Sequence, residues 1–355
     1  MTGLPNEERQ RLGALLEQAS QESVMARIPQ FSQAELSGLV PPPQETPEAL
    51  GVLVFNMERG VHLAELGDFL ETCPAIRPFD VILANELDDG CVRSGGKNTA
   101  LELAERLGMN AAFGLEFIEL VNGEDPKGFH GNAIFSRWPI RRAEVVRLPE
   151  QYNWYFDRQR RIGGRLAVLA ELEVAGRPVG VASIHLENRT HGPGRKAQLD
   201  AVLAAAERMF PGMPVILGGD LNTNTFDGRD KDAIKAVAGS PELQRRCLED
   251  VTAWEECLPA AEAAGYRLLP ELPAATNRMT SLPSAATRRK PLPGGGHLDL
   301  RLDWLLVRGA RPLESRTVST RKEDCGFALP GSSLAAFAGE ELSDHNAVWA
   351  SCALE

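Results

Sequence analysis

The longest apolar runs in this sequence, near "GVLVF" and "DVILA", fall far short of the ~20 residues that cross a bilayer, so no transmembrane segment is expected. The opening "MTGLPNEERQ" lacks a basic stretch followed by an apolar one. It therefore carries no secretory signature, and a cytoplasmic location is the expectation, although an exported chain already processed would read the same. No CxxC pair occurs among the six scattered cysteines, Cys73, Cys91, Cys247, Cys257, Cys325 and Cys352. That excludes a zinc knuckle and reads as free thiols. A basic excess is missing as well: 38 Lys and Arg stand against 49 Asp and Glu, for a net charge of −11. Proteins that hold polyanions by charge alone show a basic face, so non-specific nucleic-acid binding is disfavoured. A bound metal can reverse the field locally, which leaves a nuclease open. No internal repeat at the periods of solenoids is visible.

What is present is ordinary for a globular chain: 355 residues, 43% hydrophobic and 25% charged, enough for one large two-layered core or two domains. Residues 1–48 read as an N-terminal extension, with helical spacing in "NEERQRLGALLEQAS", a second short helix around "SQAELSGLV", and a linker at "PPPQETP". The segment 49–355 would be the main domain. Strands are expected at "VLVFN", "FDVILA", "NAIFS", "RLAVLAELEV", "PVGVASIHLE", "PVILGG", "LRLDWLLVRG" and "HNAVWASCAL", with helices at "VHLAELGDFLETC", "NTALELAERLG" (capped by Gly108) and "RKAQLDAVLAAAERMF". Residues 226–296 look like an inserted region of helices and a long Pro-, Ser- and Gly-rich loop. Helices alternate with strands, but several strands are consecutive. Two sheets with outer helices would give that pattern, and so would a doubly wound sheet.

The informative feature is where polar residues interrupt buried strands. Asn56 ends "VLVF", Glu86 follows "VILAN", His185 follows "VASI", Asp220 and Asn222 follow "VILGG", Asp303 sits in "RLDWLLV", and Asp344 and His345 precede "NAVWA". Each alone has an ordinary reading: a turn, a cap, a solvated carboxylate or a hydrogen-bonded core imidazole. Together they place acids and imidazoles at strand ends, which share a rim if the strands share a sheet. Buried ionisable groups are costly unless they meet a cation or one another, and hard oxygen ligands favour Mg²⁺, Mn²⁺ or Ca²⁺.

The ordered blocks "VLVFNMERG", "FDVILANELDDG", "GFHGNAIFSRWPI", "GGRLAVLAEL", "VASIHLE", "VILGGDLNTNT", "LRLDWLLV" and "LSDHNAV" resemble the endonuclease/exonuclease/phosphatase superfamily. Deoxyribonucleases, abasic-site endonucleases, neutral sphingomyelinases and inositol polyphosphate 5-phosphatases belong to it. The resemblance implies a four-layer α/β sandwich: two packed, mostly antiparallel sheets flanked by helices. It implies Glu86 as principal metal ligand, with Glu58 and Asp344 beside it, and Mg²⁺ or Mn²⁺ as the ion, Ca²⁺ being compatible. Asn56 would bond phosphate or the acidic network. Arg165 would contact phosphate, and His185 would donate to a phosphate oxygen or protonate the leaving group. Asp220 and Asn222 would position water and phosphate, and Asp303 would fix the tautomer of His345, with His345 and Asp220 as rival general bases. The sequence departs from the family at Asn85, where many members carry Gln. Tyr152 and Tyr155 are the candidates for a phosphate-touching Tyr, and Glu116 for the group that orients His185. His130 and His191 read as surface or loop residues.

The function implied is metal-dependent hydrolysis of a phosphate ester by in-line attack of water, on a small-molecule or lipid-like substrate. The alternatives are a nuclease on DNA or RNA and a non-catalytic binding protein on the same fold. The clusters "TRRKP" and "RQRR" read as solvated loop charges, and Trp154, Tyr155 and Phe156 as packing. Nothing in the sequence defines an oligomeric partner.

Overall fold

The computed structural model describes residues 1–38, 40–282, 290–292, 296–325 and 333–354. Two sheets form its centre. The first contains β1 (Ala34–Ser37), β2 (Leu50–Arg59), β3 (Val81–Asp89), β4 (Asn110–Glu119), β5 (Phe129–Ser136), β7 (Arg161–Gly163), β17 (Ala310–Val318) and β18 (Ala347–Leu354). Its order is β1-β4-β5-β3-β2-β18-β17, with β7 also on β4. The second contains β6 (Ile140–Arg147), β8 (Leu166–Val174), β9 (Arg177–His185), β10 (Val215–Asp220), β11 (Arg267–Leu269) and β16 (Asp303–Arg308), in the order β11-β16-β10-β9-β8-β6. Only β2/β3 and β9/β10 run parallel; the other pairs within these two sheets are antiparallel. Two small hairpin-like pairs, β12 (Asn277–Met279) with β15 (Leu298–Leu300) and β13 (Ser281–Leu282) with β14 (Lys290–Pro291), lie outside them.

Strands covered on both faces read as unbroken apolar runs, and the two-residue alternation then divides each run between layers. In β2, Leu53, Phe55 and Met57 face helices α3 (Leu63–Thr72) and α4 (Thr99–Leu107), while Leu50, Val52 and Val54 face the second sheet. On the far side, α5 (Gly192–Met209) lays Leu199, Val202 and Ala206 over Leu217 and Ile184 of the second sheet. The layers are helix, sheet, sheet, helix, the four-layer sandwich expected. Asn98 caps α4 by accepting from the Leu101 N–H at 2.9 Å, and Gly108 ends it at φ 60°, as the sequence predicts.

The first 38 residues do not stand apart. Helix α1 is Asn6–Ala14 and α2 is Gln21–Met25, and Leu12 of α1 and Val24 of α2 join Leu16, Ile28 and Phe31 in the core layer under the first sheet. The short helix expected at "SQAELSGLV" is instead strand β1, antiparallel to β4 with Ala34 opposite Gly114. A four-residue helix is marginal by itself, and the open edge of β4 offers it backbone partners. In residues 226–296 the expected helices occur as α6 (Lys231–Ala238), α7 (Pro241–Arg246) and α8 (Val251–Trp254), and a further helix, α9 (Cys257–Ala263), precedes β11, which extends the second sheet. Cys73, Cys91, Cys247, Cys257 and Cys352 are free and buried; the Cys325 side chain and most of "TRRKP" lie outside the described residues. Among the described residues no helix is long and apolar enough to cross a membrane.

Candidate active site

The polar residues singled out at strand ends meet on one rim because register and local backbone bring them there. In the second sheet Asp220 lies opposite Asp303 on one side and beside His185 on the other. That alignment requires Gly219: its φ is +145°, and a Cβ there would sit 1.9 Å from the Ile184 carbonyl oxygen. In the first sheet the β2/β3 register slips between Asn56 and Arg59, and the β3/β5 register slips between Ala84 and Leu87. These bulges re-aim the strand ends. The residues at and beside them adopt left-handed backbone, Glu58 at φ 44°, Arg59 at 68° and Glu86 at 54°, and so does Asn222 at 48°. Such conformations cost on the order of 1–3 kcal/mol each in non-glycine residues and persist where the surroundings over-determine them.

The two sheets are tied at this point. The side-chain oxygen of Asn85 accepts from the Asp220 N–H at 2.8 Å, and its amide donates to the Ile184 carbonyl at 3.0 Å. Asn56 Nδ2 donates to Asp220 Oδ2 at 3.1 Å and lies 3.5 Å from His345 Nε2. His345 Nδ1 meets Asp303 Oδ2 at 2.8 Å, and its Nε2 is 3.7 Å from Asp220 Oδ2. His185 Nε2 is 3.5 Å from the same Asp220 oxygen, and its Nδ1 is 3.1 Å from Glu116 Oε2. One carboxylate oxygen is therefore faced by an amide and two imidazoles. The Asn222 N–H donates to the other Asp220 oxygen at 2.9 Å, and its side-chain amide donates to the Leu186 carbonyl at 2.9 Å. Ser343 donates to the Asn56 carbonyl at 2.7 Å and accepts from the His345 N–H at 3.1 Å, locking the "SDH" turn to β2.

Burial alone would lower the His345 imidazole, but Asp303 and Asp220 override it and hold it well above its usual range. Burial raises Asp220, His345 partly offsets that, and Asp303 adds to it. A few residues away a separate acidic group forms. Glu58 is pushed up to about 7 by burial and by the charges of Asp344 and Glu86. Asp344, whose side chain keeps 47% of its surface accessible, is raised by partial burial and by Glu86 and Asp220. Glu86 would be raised by burial too, but Arg59, His130, His185 and Arg161 together hold it well below the usual carboxylate range. The Glu86 charge thus raises both Glu58 and Asp344, and hard oxygen donors gathered in this way suit a divalent cation. Asp220, Asp303 and His345 also bring ligand atoms within 4.8 Å of one another, but Asp303 Oδ2 and His345 Nδ1 are spent on each other.

Several expectations change. His130, expected at the surface, is 1% exposed on β5, with Nδ1 2.9 Å from Asp88 Oδ1; every residue of that strand is buried. In "RQRR" the last residue is not a solvated loop charge: Arg161 is buried, pairs with Glu119 at 3.2 Å, and packs over Phe117 and Trp154. Arg165, expected at the phosphate, is 6% exposed and committed to Glu116 at 2.9 Å and Glu187 at 3.3 Å, with Nη1 2.7 Å from His185 Nε2. Tyr155 is buried and donates to Glu17 at 2.8 Å, so it does not face the rim, whereas Tyr152 donates to Asp157 at 3.1 Å. Trp154 packs as expected, and its indole N–H donates to Glu187 at 2.8 Å. His191 is exposed at the start of α5. Sequence reasoning missed Glu187, Arg59 and Asn132, whose side-chain oxygen accepts from the Glu86 N–H at 3.3 Å. The "HGNA" alternation was the available signal for Asn132.

Two packed sheets with outer helices and a rim of acids, amides and imidazoles define a four-layer α/β sandwich. Residues 53–345 match the model of the Endonuclease/Exonuclease/phosphatase family, and the chain belongs to that family, whose members include nucleases and phosphoesterases. No curated protein matches the sequence. Solved structures share the fold. An endonuclease/exonuclease/phosphatase from Beutenbergia cavernae DSM 12333 is 19% identical at a TM-score of 0.50, covering 87% of this chain and 72% of that one. One from Bacteroides vulgatus is 11% identical at 0.51, covering 87% and 100%. The human Nocturnin catalytic domain with bound sulfate anion is 17% identical at 0.50, covering 92% and 98%.

Proposed function

We propose that this chain is a divalent-metal-dependent phosphoesterase that hydrolyses a small-molecule or lipid-like phosphate ester by in-line attack of water. The observation that carries it is the single Asp220 oxygen faced by Asn56, His185 and His345 at 3.1, 3.5 and 3.7 Å. A phosphate ester resists water because both partners are electron-rich, so positioning and fixed positive charge supply the catalysis. Asp220 takes the proton as the water oxygen bonds phosphorus and the ester P–O bond breaks, the leaving oxygen departing with the bonding pair; burial makes Asp220 a better base than a solvated carboxylate. His345, held cationic between Asp303 and Asp220, donates to a phosphoryl oxygen, as does the Asn56 amide, while His185 is fixed beside Asp220 by Glu116 and Arg165. Asn222 and Asn85 brace Asp220 through backbone and side-chain bonds. Arg165 positions His185 from behind, through Glu116. Glu58, Glu86 and Asp344 would hold Mg²⁺ or Mn²⁺, which when bound neutralises charge and polarises a phosphoryl oxygen.

Asp220→Asn, His345→Ala and Glu86→Ala are each expected to cut turnover of bis-p-nitrophenyl phosphate by roughly 10²–10⁴ in protein that circular dichroism shows to be folded, with His345→Ala also lowering the melting temperature because it leaves buried Asp303 unpaired. EDTA should inactivate, and Mg²⁺ or Mn²⁺ should restore activity. Full activity of all three variants, or activity in excess chelator, refutes the reading. Supercoiled-plasmid nicking measured alongside separates it from a nuclease, which the net charge of −11 disfavours.

A further inference from the structure

Four arginines beside the rim are spent on carboxylates. Arg93 meets Asp88 and Glu119 at 2.8 and 2.9 Å, Arg161 meets Glu119 at 3.2 Å, Arg165 meets Glu116 at 2.9 Å, and Arg189 meets Asp157 at 3.1 Å. Arg59 differs. It is half-buried, and among the described residues it makes no hydrogen bond and no ion pair. Its Nε is sealed from solvent, but its two terminal nitrogens are not. The tip of this guanidinium is therefore both accessible and uncommitted.

The backbone sets where that tip can act. Arg59 closes β2 in left-handed conformation at φ 68°, directly after Glu58 and opposite Leu87, the neighbour of Glu86 on β3. Glu58 also accepts from the Asp344 N–H at 3.2 Å, so the three carboxylates assigned to the metal gather at this strand end. The Arg59 charge bears on all three, and on Glu86 ahead of His130, His185 and Arg161. The charges that bear most on Asp220 are instead those of His345, Asp303 and His185. Arg59 thus belongs to the acidic end of the rim and not to the end where water is activated. A guanidinium presents a planar fork of donors that matches a carboxylate or a phosphate, and holding one half-buried without a partner is costly unless a ligand supplies the anion.

We propose that Arg59 is a specificity-determining residue that binds a second anionic group, carboxylate or phosphate, carried by the substrate beside the phosphate that is cleaved. The inference rests on the phosphoesterase reading above and narrows its substrate class. Its test reads binding. Full-length protein is titrated calorimetrically, at constant free Mg²⁺, with methylphosphonate, phosphonoacetate and methylenediphosphonate. The last two add a carboxylate or a second phosphonate to the same group, and the tighter of them identifies the second anion. At least one should bind about 10-fold more tightly than methylphosphonate, the size of one charge-assisted hydrogen bond. Arg59→Gly, which suits the left-handed backbone, should erase that preference and leave methylphosphonate unchanged. Arg59→Met, which keeps the apolar stem, gives the same readout if the glycine variant fails to fold. Equal binding of all three probes by the native chain, or a preference that survives in a folded Arg59 variant, overturns the proposal. Metal-dependent turnover of bis-p-nitrophenyl phosphate without any such preference sinks this inference alone, whereas absence of turnover sinks the phosphoesterase reading.

Discussion

Glu116 shows how one side chain couples stability to the site. Burial alone would raise its carboxyl, yet His185 and Arg165 bring it to about 2 in the folded chain, against 4.5 for the free group. A depressed folded-state value contributes stability that is present above about pH 4.5 and is lost as pH falls toward 2. The contribution is on the order of 3 kcal/mol. Urea midpoints between pH 6 and 2.5 should therefore fall more steeply for the native chain than for Glu116→Gln; identical slopes would show that Glu116 plays no part. Asn85 is a second single-residue device. Asn85→Ala orphans the buried Asp220 N–H and Ile184 carbonyl, each costing about 1–3 kcal/mol, and lets Asp220 drift. A lower kcat with KM near native is the expected signature, while an unchanged kcat would assign Asn85 to folding alone. At this scale the sequence was legible for polar residues placed at strand ends, such as Asp220 and His345, which the fold brings to 3.7 Å of each other. It was not legible for Glu187 or Arg161, whose roles arise from partners on other strands and leave no local pattern.

At the scale of elements the bulges in β2 and β3 and the glycine pair of β10 shape the rim. Gly219→Ala places a Cβ on the Ile184 carbonyl, so a loss of 4 kcal/mol or more, on the order reserved for severe core changes, is expected in chemical denaturation. A variant within 1 kcal/mol of native stability would mean that β9 and β10 can separate at their ends. A second joint lies between α5 and the inserted helices. Arg195 and Glu255 are both fully buried and paired at 2.7 Å, and Glu255 also accepts from the Thr225 N–H at 2.7 Å. Glu255→Ala strands a buried guanidinium and should cost about 3–5 kcal/mol. Elements read correctly were those with unbroken apolar runs or clear caps, such as β2, β3 and α4. The strand at Ala34–Ser37 read as a helix because its partner, β4, is some 75 positions away, and only tertiary pairing decides between the two.

For the whole molecule, layer order followed from runs that are apolar on both faces, whereas the meeting of two sheets at one oxygen of Asp220 required their relative placement. The N-terminal segment is the larger surprise. Read as an N-terminal extension, it contributes five fully buried side chains to the layer beneath the first sheet and covers part of the outer edge of β4. A chain begun at Leu50, just ahead of the family match, would bare the four residues 111–114 of β4 that β1 covers, beside a newly wetted oily patch. Bare borders of that kind recruit one another. Light scattering should find such a shortened form assembling with increasing concentration while the full chain does not. The opening residues would then act as a built-in guard against polymerisation, and any preparation that trims them for convenience would remove the protein's protection from itself.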